Sequence, residues 1–133
     1  MTERARRTLF GALAALWASL IFWESSQPNP FPFLPPEILG HDKLLHMGAY
    51  AVLAGLAVGA LARTRLPALG RAAAVAAVLA TAYGAADEWH QSYVPGREAD
   101  PWDWVADAAG AMAGAAAMTL ILRHGNPRAS IRG

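Results

Sequence analysis

Apolar positions gather into four long blocks, at about residues 8–24, 43–62, 71–90 and 101–122, separated by short polar or proline-bearing stretches. Each block approaches the roughly 20 residues that a helix needs to cross a bilayer. Alanine and glycine fill much of them, and the pairs Gly55/Gly59 and Gly110/Gly114 have the GxxxG spacing of closely packed membrane helices. The pattern predicts an all-α membrane protein: a single 133-residue domain folded as a four-transmembrane-helix bundle. The two GxxxG faces are expected to pack inside this bundle rather than to form dimer seams.

The stretches between the blocks refine this picture. The first block follows Arg4, Arg6 and Arg7 and closes on Trp23 and Glu24. A basic start and an apolar run also describe a signal peptide. No A-x-A site follows, so the first helix is expected to stay attached, with Trp17 and Trp23 as an interfacial anchor. Residues 25–42, SSQPNPFPFLPPEILGHD, hold five of the nine prolines and cannot form a regular helix. Their apolar side chains suit a loop on the membrane surface or one folded back over the bundle. RTRLPALGR links the second block to the third, and Pro101 suits the first turn of the fourth.

Polar residues interrupt the blocks in one region. Asp42, His46 and Tyr50 form a stripe at i, i+4 steps on the second block; Asp87, Glu88 and Gln91 share a face of the third, and Asp103 and Asp107 a face of the fourth. Between the last two, SYVPGREAD carries a Pro-Gly turn signal and Arg97, the one lysine or arginine between Arg71 and Arg123. Ionisable groups in lipid cost several kcal/mol, so a cluster of them implies a protein-lined or watery recess. Counted at 1.5 Å per residue, Asp107 lies roughly 9 Å beyond Pro101 and His46 about 6 Å beyond Asp42, so groups from three helices can share one level.

Charge adds an orientation. Nine of the eleven lysines and arginines lie in the amino-terminal segment, the 63–71 link or the tail; Lys43 and Arg97 lie on the other side. The positive-inside rule then puts both termini in the cytoplasm and the polar recess at the extracytoplasmic end of a multi-pass protein of the cytoplasmic membrane. Scattered basic residues of this kind need only orient the chain, so no nucleic-acid partner is expected. The absence of cysteine excludes disulfides and thiolate metal sites.

The chain resembles the VanZ-like family of small integral membrane proteins. The resemblance rests on DKLLHMGAY, on DEWHQSYVPGREADPWDWVADAAGAMAG and, more weakly, on Ser-Ser-Gln-Pro after the first block, and it covers nearly the whole chain. Carried over, the family's polar set corresponds to Asp42, Lys43, His46, Tyr50, Asp87, Glu88, Gln91, Pro95, Arg97, Asp103 and position 107. Many relatives have Asn at that last position, where this chain has Asp107. The family name comes from a protein associated with teicoplanin resistance, which implies a cell-envelope and antibiotic-resistance theme rather than a reaction.

Three readings of the polar set follow. In the first, the carboxylates pair with Lys43, Arg97 and the histidines as a structural ion-pair network with a protein-interaction role. Five acids (Asp42, Asp87, Glu88, Asp103, Asp107) against two permanent cations leave some to be hydrated, protonated, paired with imidazolium or metal-bound. In the second, the recess binds membrane lipids, either the headgroup of an envelope lipid or a lipid-linked cell-wall precursor, or shields it from a lipoglycopeptide. Lys43 and Arg97 would contact phosphate, and Asp42, Tyr50, Gln91, Asp103 and Asp107 would line the site. In the third, the protein is a membrane-embedded hydrolase or transferase, with His46, oriented by Asp42, as general base and Asp87 or Glu88 as acid. His46 and the carboxylates could instead hold a divalent cation, Mg²⁺ or Ca²⁺ before zinc because oxygen ligands dominate. No HExxH or GxSxG motif is present.

Overall fold

In the computed structural model, residues 1–28, 35, 42–62 and 66–125 are described, apart from the side chains of 42, 66 and 67. They form four helices: α1 (Glu3–Ser25), α2 (Asp42–Leu61), α3 (Leu66–Gln91) and α4 (Pro101–His124). Each is long and apolar enough to cross a membrane. The loop expected over residues 25–42 falls mostly outside the described residues.

Helix ends are set by local chemistry and by neighbours. Thr2 caps α1, its hydroxyl accepting from the Ala5 N–H at 3.1 Å. Asp100 caps α4 through the Trp102 N–H at 2.9 Å, with Pro101 in the first position. α1 starts earlier than the apolar block because its arginines have partners on α2: Arg6 donates to the carbonyls of Gly59 (3.2 Å) and Ala62 (3.0 Å), and Arg7 to that of Ala60 (2.9 Å). These are the carbonyls left open at a helix C-terminus, where cations are favoured. α3 also starts earlier, at Leu66, so that Pro67 falls in its first turn, where its missing N–H is not needed.

The packing has small residues inside and large ones outside. Ala54, Val58, Ala76, Ala111 and Ala115 are buried, whereas Leu16, Leu20, Leu44, Val78, Leu79 and Ile121 are exposed. A water-soluble bundle would bury its leucines; helices surrounded by lipid gain by burying small residues that let backbones approach. α2 and α4 show this most clearly. A Cβ on Gly110 or Gly114 would overlap the backbone carbonyl of Met47 or Ala51, so this GxxxG face is an internal seam. On α2, a Cβ on Gly59 would overlap the Phe10 ring and one on Gly55 would touch the Gly114 carbonyl. Both pairs therefore pack within the bundle.

α2 and α4 run parallel, with Lys43 beside Asp103 and Gly55 beside Gly114, while α3 runs back along α4 with Trp104 Nε1 donating to the Thr81 carbonyl at 3.0 Å. α1 is tied on by Trp17 Nε1 to the Ala49 carbonyl (2.9 Å) and by Tyr83 Oη to the Ala18 carbonyl (2.7 Å). Trp17 is thus an inter-helix donor rather than the interfacial anchor expected of it; Trp23 is 58% exposed. This topology gathers the starts of α2 and α4 and the ends of α1 and α3 at one end of the bundle.

Candidate functional site

That end carries the polar set, with residues 92–100 closing it between α3 and α4. α2 and α4 contribute matching pairs. Lys43 donates from Nζ to Asp103 Oδ1 at 2.7 Å and Asp100 Oδ2 at 2.8 Å; one turn deeper His46 Nδ1 lies 2.8 Å from Asp107 Oδ1, with Nε2 3.8 Å from Asp103 Oδ2. Asp103 and Asp107 share one face of α4 because they are four residues apart, and that face is buried. Gly84 of α3 makes room for Asp107: a Cβ there would come within 2.8 Å of Oδ2.

α3 supplies the other side. Glu88 Oε2 accepts from the Asp100 N–H at 2.9 Å, and Gln91 Nε2 donates to Asp87 Oδ2 at 3.1 Å. Arg97 donates from Nη2 to Gln91 Oε1 at 3.0 Å and from Nη1 to Glu24 Oε1 at 3.2 Å. Asp100 lies on the loop, outside the spans, where the hydrogen bond from Lys43 holds its carboxyl below the usual carboxylate range.

Four buried oxygens have no hydrogen-bond partner among the described residues: Tyr50 Oη, Asp87 Oδ1, Glu88 Oε1 and Asp107 Oδ2. Tyr50 is 1% exposed, and its charged neighbours are Asp87, Asp107 and Glu88. His46, Glu88 and Asp107 each offer a ligand atom such that all three lie within 4.8 Å of one another, a spacing that suits a metal ion.

The fold therefore brings Lys43, His46, Tyr50, Asp87, Glu88, Gln91, Asp103 and Asp107 together at one end. His46 contacts Asp107 and, at 3.8 Å, Asp103; the Asp42 side chain, assigned that contact from the i, i+4 stripe, lies outside the described residues. Among the described residues Arg97 reaches the set through Gln91, and its charge is matched by Glu24 of α1. Glu24 and Asp100, cation partners that sequence reasoning passed over, were visible only as acids flanking the apolar blocks. A further polar contact joins Ser26 Oγ to His90 Nε2 at 2.9 Å, with the His90 ring stacked on Phe22 at 4.8 Å between centroids.

Four bilayer-length helices, an alanine interior and carboxylates buried at one end define a small multi-pass membrane protein. The VanZ/LLP1 family model matches residues 9–122, and the chain belongs to this family. Among curated proteins and among solved structures, none matches the chain.

Proposed function

We propose that the protein binds the polar headgroup of an envelope lipid or lipid-linked precursor at the extracytoplasmic end of the bundle, in the cytoplasmic membrane. The orientation follows from the nine-to-two distribution of lysine and arginine, which puts both termini in the cytoplasm. The observation that carries the reading is the set of four unpartnered buried oxygens. A buried acceptor without a donor costs about 1–3 kcal/mol, so a ligand rich in donors recovers stability when it binds.

This chemistry favours a hydroxyl-rich headgroup over a bare phosphate. Lys43 and Arg97 are already engaged by Asp100, Asp103, Gln91 and Glu24, and a phosphate taking both would have to displace these partners. Lys43, half exposed, still has a third N–H for a phosphate at the rim while sugar or glycerol hydroxyls donate to Asp87, Glu88 and Asp107 deeper in. Trp89, Tyr93 and Trp102 are exposed at the same end, as suits residues at the headgroup level.

The test is extraction from native membranes with styrene–maleic acid copolymer and mass spectrometry of the co-purifying lipids. A lipid with a polyhydroxylated headgroup should be enriched several-fold over bulk membrane and lost from the Asp87→Asn/Glu88→Gln double variant. A wild-type lipid profile equal to the bulk membrane would refute the reading.

One observation favours a second reading, a hydrolase or transferase acting on a lipid-linked substrate. The His46 imidazole is held by Asp107 at 2.8 Å beside Glu88, as a general base is held by a carboxylate. Conversion of the co-purified lipid by wild type and not by His46→Ala would select it.

A further inference from the structure

The inner carboxylates follow one rule: each has one oxygen fixed by a neighbour and one oxygen without a partner. Asp87 Oδ2 is fixed by Gln91, Glu88 Oε2 by the Asp100 N–H and Asp107 Oδ1 by His46, while Asp87 Oδ1, Glu88 Oε1 and Asp107 Oδ2 have no hydrogen bond among the described residues. Ion pairs to Lys43 reach Asp100 and Asp103, and Arg97 reaches Glu24; none of these joins a lysine or arginine to Asp87, Glu88 or Asp107. Tyr50, on α2, adds a fourth buried oxygen without a hydrogen bond among the described residues. Two of these carboxylates, Glu88 and Asp107, converge with the His46 imidazole, each pinned by its other oxygen, which is how metal ligands are oriented before the ion arrives.

Size agrees with chemistry. Bonds of about 2.3–2.6 Å place ligands on opposite sides of a Ca²⁺ ion about 5 Å apart, and smaller ions bring them closer. The ligand atoms of His46, Glu88 and Asp107 lie within 4.8 Å of one another, so one ion can meet all three with little side-chain movement. We propose that His46, Glu88 and Asp107 hold a single divalent cation. One imidazole among several carboxylate oxygens selects the oxygen-preferring ions Mg²⁺, Mn²⁺ and Ca²⁺. The ion neutralises Glu88 and Asp107, and with it bound a headgroup hydroxyl would meet the ion as a ligand in place of donating to these two carboxylates. The site rests on these side chains alone and does not require the headgroup reading.

The experiment uses Mn²⁺ on the full chain, purified in detergent, stripped with chelator and delipidated, so that a failed lipid assay leaves it standing. Titration followed by the loss of the aqueous Mn²⁺ electron paramagnetic resonance signal should show one saturable site per chain, displaced by Mg²⁺ or Ca²⁺. Electron spin-echo modulation of the bound Mn²⁺ should show coupling to a directly bound nitrogen, since His46 supplies one. Glu88→Gln and His46→Ala should weaken binding at least about tenfold. Glu98→Gln, a loop acid outside the site, should bind as wild type. Absence of saturable binding, bound Mn²⁺ without nitrogen coupling, or unchanged affinity in Glu88→Gln would each overturn the proposal. Should either variant misfold, the wild-type stoichiometry and nitrogen coupling decide the matter without it.

Discussion

Asp107→Asn removes one negative charge from the inner carboxylates while changing shape hardly at all, and the sign of its effect separates two accounts of the site. Asp107 and Glu88 offer oxygens within 4.8 Å of each other, and like charges at that distance repel by about 3 kcal/mol at an effective dielectric of about 20. Against that relief, the contact with His46 passes from charge-assisted to neutral, a loss of about 1–1.5 kcal/mol. The amide also gains a donor that can face the unpartnered oxygens of Asp87 or Glu88. Without divalent cations, therefore, Asp107→Asn should be more stable than wild type by about 1–2 kcal/mol, a rise in melting temperature of roughly 3–10 °C. With Mg²⁺ or Mn²⁺ at a hundredfold excess over Kd the wild type should gain about 2.7 kcal/mol, and the variant less, closing or reversing the gap. The assay is thermal unfolding in detergent with chelator and with each ion in turn. A fall in melting temperature for Asp107→Asn in chelator would instead mean that the charge on Asp107 holds the fold together through His46, and that repulsion from Glu88 is the weaker effect.

Gly110→Ala and Gly114→Ala should each destabilise by about 1–3 kcal/mol or more, because the added methyl group meets backbone carbonyls that cannot turn aside; Gly48→Ala, with open space around it, should be neutral or stabilising by up to about 1 kcal/mol in the same melts. Asp100→Asn keeps the helix cap and loses only the charge facing Lys43. Since the folded-state carboxyl lies below its ordinary value, the stability it lends is present above an ordinary pKa of about 3.9 and lost as pH falls through the lowered value. The variant should melt below wild type at pH 7, and the difference should shrink as pH falls below about 3.9. Arg97→Ala leaves Gln91 and Glu24 without their donor and should cost about 1–3 kcal/mol, with Arg97→Lys a partial rescue at best because an ammonium lacks the planar fork; equal melting temperatures would show the contact to be idle. Reporter fusions after residue 97 should read as extracytoplasmic and those at 67 and 130 as cytoplasmic, and a cytoplasmic signal at 97 would invert the proposed orientation.

Four spans were legible in the sequence because crossing a bilayer is a matter of length and local polarity, and each apolar block carries that information by itself. The i, i+4 faces that put Asp103 above Asp107, and Asp87 one turn from Gln91, were legible for the same reason: helical periodicity is local. The starts of α1 and α3 were not, since α1 extends back to Glu3 with Arg6 and Arg7 bound to carbonyls at the far end of α2, a contact more than fifty residues away in the chain. Pairing inside the site was equally out of reach. Sequence spacing offered Asp42, on the same helix, as a partner of His46; it could not offer partners on α4, where the seam at Gly110 and Gly114 draws α4 against α2 in parallel and sets Lys43 against Asp103 and His46 against Asp107. Nor could a surplus of acids show which oxygens lack a partner. Asp103 and Asp107 look alike in the chain; only the packed structure gives one of them to Lys43 and leaves the other, fully buried, with an oxygen that no donor among the described residues reaches, because hydrogen-bond satisfaction depends on every neighbour at once.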